Sequence, residues 1–490
     1  MSSSDSSAIR TDTKAWLHFA GLGGSGMSGL AQFHARAGGP TTGSDRAFDQ
    51  GERQEVRSRL EGLGIGIFSQ DGSFSSAAEP GEICAGQTCA AVVVSTAVED
   101  KVPDIAAARE LGIPILHRSE LLARYVTDHR TIAVSGTSGK STVTAMLFTI
   151  LRDCGLDTGL LTGGPLTALV NDGLIGNAWA PAGSDQGDGP PFLVIEADES
   201  DGSLVRYHPW AGIILNLGLD HKDPAEIMAM FEVFRDNVSG PLIVGADDNL
   251  ADLAAGAEVF GIGEGDDRAG TWARDVEPSP TGSDFRIENV RFHLPAPGLY
   301  NVRNATAAIA AGRACGLTLE QMAPAVAGFA GVSRRFEKVG DAAGVEVIDD
   351  FAHNPDKIAA ALAAAHDRLG SSGGRVLAVF QPHGFGPTRF LRDALVETFA
   401  AALAPEDVLW LPEIYFAGGT VTRDISAGDI VDEVRGLGRE ARFLADRAQL
   451  PPAIAAEARS GDLVLVMGAR DPSLTEFGRT ILLELGKADG

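Results

Sequence analysis

Thr131-Ile-Ala-Val-Ser-Gly-Thr-Ser-Gly-Lys-Ser-Thr142 is the stretch on which the fold turns. An apolar run enters a glycine turn, and Lys140, Ser141 and Thr142 open a helical stretch that continues to Cys154. In such a turn the backbone N–H groups of Gly136, Thr137, Ser138 and Gly139 point at one spot, and the following helix N-terminus adds partial positive charge. The pattern predicts an ATP site, with Lys140 reaching the β- and γ-phosphates and the Ser141 hydroxyl on Mg²⁺. Val134 stands where the first glycine of the standard pattern belongs. A chance glycine-rich turn would not supply strand, glycines, Lys-Ser-Thr and helix in this order.

The chain of 490 residues is too long for one core. Its composition, 44% hydrophobic and 22% charged, is globular, and its 60 glycines lie between apolar runs, as βα turns require. The net charge of −26 argues against sequence-independent binding to nucleic acid, since nothing offsets phosphate repulsion. Cys84, Cys89, Cys154 and Cys315 form no CxxC pair, so thiols in a reducing compartment are expected. Met1 to Thr13 is Ser-rich without the apolar core of a signal peptide, and no apolar run reaches a membrane span. A cytoplasmic protein with no membrane partner is expected. The sequence carries no signal of oligomeric state.

Three α/β regions follow from the alternation of apolar runs with helical stretches. The first, 14–126, opens with a strand Trp16–Ala20, a glycine loop Gly21–Gly29 and a helix to Ala37. Ala90–Ser95 and Ile113–Leu116 read as further strands, and Pro103–Leu111 and Ser119–Tyr125 as helices, in a Rossmann-like arrangement. Thr127-Asp-His-Arg130 is a polar joint. The second region, 127–332, is a P-loop ATPase-like unit with strands at Phe192–Ile195, Gly212–Leu215 and Leu242–Val244. In it Ala180–Pro191 reads as an exposed loop, Gly261–Gly282 as a hairpin or surface excursion, and Asn301–Cys315 as an alanine-rich helix. The third, 333–490, places strands at Val345–Ile348, Val376–Phe380, Val408–Leu411 and Leu463–Met467, a second, mainly parallel, Rossmann-like sheet.

Several polar clusters follow strands directly, where α/β sheets bind ligands. Glu196-Ala-Asp-Glu-Ser-Asp201 follows Phe192–Ile195 and can hold Mg²⁺ against phosphates cradled by Lys140; alone it would read as a solvated acidic loop. Asp220 and His221 follow another strand, although Mg²⁺ prefers oxygen ligands. Asn301-Val-Arg-Asn304 either reads an adenine edge or caps a helix. Asp349-Asp-Phe-Ala-His-Asn-Pro355 and Gln381-Pro-His383 are either substrate contacts or polar turns. Arg334-Arg335 either reaches phosphate or is solvated. The loop containing Gly21, Gly23, Gly24, Ser25, Gly26, Met27 and Ser28, with Asp45 downstream, suits a dinucleotide but also any diphosphate.

Taken together, Gly21–Gly29, Gly136–Thr142, Glu196–Asp201, Asp220-His221, Asn301-x-x-Asn304, Arg334-Arg335-Phe336, Asp349–His353 and Phe380-Gln-Pro-His383 resemble the Mur ligase family, in the family's order, from Trp16 to the C-terminus. The resemblance is to its alanine-adding branch, with features of the murein-recycling branch. It implies three domains that bind a UDP-sugar, ATP and an acceptor. It also implies a reaction: ATP phosphorylates the lactyl carboxylate of UDP-N-acetylmuramate, and an amino acid or peptide amine attacks the acyl phosphate. By family position, Lys140, Glu196, His221 and His353 would be catalytic. Ser141, Glu196 and His221 would hold Mg²⁺, and Asn304 and Arg335 would contact ATP. The first glycine loop would bind the UDP-sugar and His383 the acceptor side. From spacing alone, Asp45 sits where a ribose-binding acid belongs, and Arg389 lies near enough to His383 in sequence to be a substitute anchor for the acceptor carboxylate.

The chain departs from this pattern in places. Ser138 and Ser141 stand where histidine and threonine are usual, Tyr300 replaces a histidine, and Gly468-Ala-Arg470 replaces a more glycine-rich turn. Phe351 replaces a tyrosine, as in the recycling branch. After His383 the alanine-adding branch carries two arginines expected to bind the acceptor carboxylate; here the residues are Gly384-Phe-Gly-Pro387. Joining the sugar to L-alanine is therefore one expectation and attachment of a larger murein peptide another. A weakened paralogue that only binds nucleotide is a third. An oxidoreductase would leave the second phosphate loop unexplained.

Overall fold

Parallel sheets buried on both faces need near-continuous apolar strands, and three such sets of strands organise the chain. A computed structural model describes residues 15–75, 88–183, 189–218, 223–263, 270–370, 373–416, 422–469, 471 and 473–487. The Ser-rich N-terminus, Cys84, Asp220, His221 and Arg470 lie outside the described residues. The chain forms two compact units. One comprises residues 1–216, 225–260 and 307–325, the other 217–224, 261–306 and 326–490.

The first unit holds two sheets. Strands Gly66–Phe68, Thr41–Ser44, Leu17–Ala20, Ala91–Val94 and Ile115–His117 lie side by side, all parallel. The second sheet runs Glu258–Ile262, Leu242–Gly245, Ala211–Ile214, Arg130–Ser135, Phe192–Glu196, Thr158–Leu161, Ala178–Trp179, parallel except for the last pair. Its central strands are sealed: Ile132, Ala133, Val134, Leu193, Val194 and Ile195 are fully buried. The helix Lys140–Asp153 has every residue from Ser141 to Leu151 buried, so it is enclosed around its whole circumference rather than along one stripe.

The other unit contains an antiparallel meander, Gly270–Ser279, Gly282–Ile287 and Val290–Leu294, so the glycine-rich excursion is a hairpin where it is described. It also contains a six-stranded sheet in the order Glu337–Ala342, Val345–Asp350, Leu463–Gly468, Val376–Gln381, Val408–Leu411, Glu440–Phe443. Only the first pair is antiparallel. Separate apolar clusters cover its two faces, one including Ile348, Leu362, Phe380 and Leu465, the other Val347, Val379, Val464 and Ile481. Among the described residues no helix is long and apolar enough to cross a membrane.

Four expectations need correction. The first glycine loop is shorter than read, because Ser25 already opens the helix Ser25–Arg36. Asn301 and Asn304 are not caps: they lie inside the helix Leu299–Ala314, and Asn301 Nδ2 donates to Pro297 O (2.7 Å). The polar joint at Thr127–Arg130 is mostly structured, since the helix Arg118–Asp128 runs through it. Arg130 then starts a strand with its guanidinium 3.8 Å over the Trp210 ring. The strand read at Ile113–Leu116 is Ile115–His117.

Candidate active site

The phosphate loop takes its shape from two glycines and one asparagine. Gly136 (φ +135°) and Gly139 (φ +89°) adopt backbone conformations that side-chain-bearing residues avoid. Asn216, at the end of the neighbouring strand, clasps the loop: its Oδ1 accepts from Ser138 N (2.9 Å) and its Nδ2 donates to Ser138 O (3.0 Å). Its own carbonyl accepts from Thr137 N (3.2 Å), so the Thr137 and Ser138 N–H groups, expected to face a phosphate, are engaged by Asn216 instead. A methyl group on Gly136 would lie 2.8 Å from Leu215 Cβ and within 3.2 Å of the Leu215 and Asn216 backbone nitrogens. Gly136→Ala is expected to cost about 1–3 kcal/mol of stability and to raise KM for ATP about tenfold or more. Thermal melting and ATP titration check this; an unchanged melt with unchanged KM would contradict it.

Lys140 and Ser141 open the helix and meet two strand-end carboxylates. Lys140 Nζ donates to Gly136 O (2.8 Å) and to Glu199 Oε2 (2.7 Å), with Asp198 at 3.6 Å. Burial opposes the ammonium charge, but Glu199, Asp198 and Glu196 outweigh it and hold the Lys140 pKa above the ordinary lysine range. Ser141 Oγ lies 3.1 and 3.0 Å from the two oxygens of Glu196. Glu196 Oε2 also accepts from Thr162 Oγ1 (3.1 Å) and Gly163 N (2.7 Å), so the carboxylate is fixed before any ligand arrives. A hydroxyl and a carboxylate are the hard oxygen donors that Mg²⁺ takes, and these two fit it. Among the described residues no three His, Cys, Asp or Glu side chains gather at metal-binding distance, and His221 lies outside them. Thr142 is buried in the helix behind Ser141.

The first glycine loop sits in the same unit. Asp45, read as a ribose contact, is engaged locally: Oδ2 accepts from Gly23 N (2.8 Å) and Oδ1 caps the next helix at Ala47 N (2.8 Å). It therefore shapes the loop. Gly21 (φ +79°) makes the turn, and Gly24 begins the helix without a side-chain cap. Ser25 and Ser28 meet Asn177, whose Nδ2 donates to Ser25 O (2.8 Å), and Met27 is buried.

In the other unit, the sheet's carboxyl edge gathers His353, His383, Phe351 and Arg335. The rings of His353 and His383 are 5.7 Å apart, and Phe351 meets His353 edge-on at 5.5 Å. Arg335 lies 4.9 Å over the Phe351 ring, and Arg334 pairs with Asp349 (3.1 Å). Asp350 is buried while accepting from Phe336 N and Ala352 N (both 2.7 Å). Burial pushes its carboxyl up to about 6, against the pull of Arg335 and the two backbone donors. Asn304 is buried on its helix. Arg389 donates to Asp424 and to Thr422 O.

Four residues carry no sequence signal of their own. Glu199 lies in the acidic cluster and Asn216 just past a strand, but nothing in their spacing says that they hold Lys140 and the loop. Arg118 donates to Asp201 of the acidic cluster, 83 positions away. Arg423 lies with its guanidinium 4.2 Å over Phe416 and 5.8 Å over Phe385, and it has no ion pair among the described residues.

The chain is similar to known proteins along almost its whole length. The Mur ligase family catalytic-domain model matches residues 17–130, the Mur ligase middle domain 134–312, and the Mur ligase glutamate ligase domain 334–470. A UDP-N-acetylmuramate–L-alanine ligase of Streptomyces avermitilis is 37% identical over 486 residues, spanning 96% of this chain and 97% of that protein. The crystal structure of the UDP-N-acetylmuramate-alanine ligase from Thermotoga maritima superposes with a TM-score of 0.74 at 26% identity, covering 97% of this chain and 99% of that one. A murein peptide ligase from Psychrobacter arcticus shares the fold, with a TM-score of 0.68 at 24% identity and coverage of 96% and 99%. With three consecutive domain matches and a full-length relative above one-third identity, this chain belongs to the Mur ligase family.

Proposed function

We propose that this protein is an ATP-dependent amide ligase that joins UDP-N-acetylmuramate to an amino-acid acceptor, L-alanine first among them, in cytoplasmic peptidoglycan precursor synthesis. The observation that carries this reading is the convergence of Lys140, Ser141 and Glu196 at the ends of adjacent strands, where the glycine loop opens into the helix Lys140–Asp153. A lactyl carboxylate oxygen attacks the γ-phosphorus of ATP, and ADP leaves. The acceptor nitrogen then attacks the acyl carbon, and phosphate departs with the carboxylate oxygen. Phosphoryl transfer needs positioning and charge neutralisation more than covalent chemistry. Lys140 supplies a charge that its acidic neighbours keep in place. Mg²⁺ held by Ser141 and Glu196 would add electrostatic stabilisation of the phosphates when bound; by family position His221 completes that set. Asn304 and Arg335 would contact the nucleotide.

At the acceptor step a base must take the amine proton. His353 Nδ1 faces Phe351 O at 2.9 Å. That contact favours the tautomer with hydrogen on Nδ1, which leaves Nε2 as the basic nitrogen. With Arg389 drawn to Asp424, Arg423 is the better carboxylate anchor, its guanidinium over the Phe416 ring and near that of Phe385, two residues past His383. Arg423→Ala is expected to raise the acceptor KM about tenfold or more, the value of a charge-assisted pair, and to change the ATP KM less than about twofold. Steady-state titration of each substrate checks this; an unmoved acceptor KM would remove Arg423 from the site.

Phosphate release with ATP, UDP-N-acetylmuramate and a panel of amino acids and murein peptides tests the reading. Turnover should require all three components. The exposed Arg423 and the open space around Gly386 favour a second reading, in which a larger murein peptide is the acceptor. Turnover with alanine alone would sink that second reading. No turnover with any acceptor, alongside retained ATP binding, would instead favour a nucleotide-binding paralogue.

A further inference from the structure

Arg118 begins the helix Arg118–Asp128 at the edge of the first sheet, on a turn tied down by its neighbours. His117 Nδ1 lies 3.3 Å from Ser119 N, and Glu120 accepts from His117 N (2.9 Å). From that fixed point the guanidinium reaches two places. One nitrogen, Nη1, stands 2.8 Å from where a Cβ on Gly26 would be, so it lies against the first turn of the helix that follows the glycine loop. The other, Nη2, donates to Asp201 in the acidic cluster after the strand Phe192–Glu196. The first helix has no side-chain cap and no acidic residue in its first turn.

This placement opposes ordinary electrostatics. A helix N-terminus carries partial positive charge, and a cation against it is unfavourable unless an anion lies between them. The anion that pairs with the guanidinium here is Asp201, supplied from a distant part of the chain and met on the other nitrogen, Nη2, not on the one that faces Gly26. Asp201 is itself partly committed, because Oδ1 accepts from Ser203 N (2.9 Å). Arg118 is 29% and Asp201 17% exposed, so the pair is accessible to a ligand yet drier than a surface ion pair. Guanidinium groups match phosphate oxygens through two parallel donors.

We propose that Arg118 is an anion-binding residue of the first glycine loop, held on Asp201 until the diphosphate of a nucleotide-sugar takes Asp201's place. The proposal rests on the reading that this loop takes a diphosphate. Gly26 is then required because a side chain there would occupy the guanidinium's position. Asp201 is a competitor for the ligand rather than part of its site, and this gives the two partners opposite expected effects. A pair that only braces the fold would give the same effect from either side.

Calorimetric titration tests this with two probes, UDP and UDP-N-acetylmuramate. Arg118→Ala should weaken UDP about tenfold or more, and Arg118→Lys should fall between it and the wild type because the paired donors are lost. Asp201→Asn keeps an oxygen for Ser203 N and should tighten UDP severalfold. Binding of a non-hydrolysable ATP analogue should stay within about twofold in every variant, which reports an intact fold. Losses in both Arg118→Ala and Asp201→Asn, or an unchanged UDP affinity in Arg118→Ala, would overturn the proposal. Binding of UDP as described, with no binding of UDP-N-acetylmuramate, would sustain Arg118 and sink the muramate reading. Binding of neither probe by the wild type would overturn both.

Discussion

Lys140→Ala is expected to lower the rate of phosphate release by about 10³-fold or more while leaving UDP-N-acetylmuramate binding within about twofold. The magnitude is that of removing a charge that neutralises a phosphoryl transition state in a water-poor site. The side chain is 11% exposed and ringed by Glu199, Asp198 and Glu196, so alanine leaves three carboxylates with no ammonium among them. ATP phosphates would then meet uncompensated negative charge. The first glycine loop takes its shape from Asp45 and Gly23, which do not depend on Lys140. Stopped assays for phosphate, paired with calorimetry on the sugar nucleotide, check this. Equal losses in both would break the assignment of two separate anion sites.

Glu196→Gln should rank second, with kcat down about 10²–10³-fold. The carboxylate accepts from Ser141, Thr162 and Gly163, and an amide can serve only some of these donors while presenting N–H groups to the rest. Loss of a metal ligand should also raise the Mg²⁺ concentration needed for half-maximal rate, and excess Mg²⁺ should restore part of the activity. Lys140→Ala should show no such rescue. A variant with wild-type Mg²⁺ dependence would remove Glu196 from the metal site.

The strand–loop–helix at Thr131–Cys154 was legible because its chemistry is local: two glycines with unusual φ, a lysine and a hydroxyl, all within one turn. The same holds for the parallel sheets, whose apolar runs have no alternative but burial. What escaped the sequence is what chain topology brings together. Asn216 clasps Ser138 from a strand 78 positions away, and Arg118 meets Asp201 across 83. No periodicity encodes such pairings. Asp45 shows the converse: its spacing suits a ribose contact, and the structure adds that its two oxygens accept from the backbone N–H groups of Gly23 and Ala47. At the carboxyl edge of the six-stranded sheet, Arg389 is engaged by Asp424, a pairing 35 positions apart, while Arg423 lies on a loop with no motif around it.

The central claim is that a carboxylate of the sugar is activated as an acyl phosphate over Lys140 before the amine attacks. UDP-N-acetylmuramate labelled with heavy oxygen in its lactyl carboxylate tests this in a single-turnover reaction with ATP and a productive acceptor. The account predicts that one labelled oxygen of each carboxylate appears in inorganic phosphate and the other stays in the amide. Inorganic phosphate released without label would contradict it.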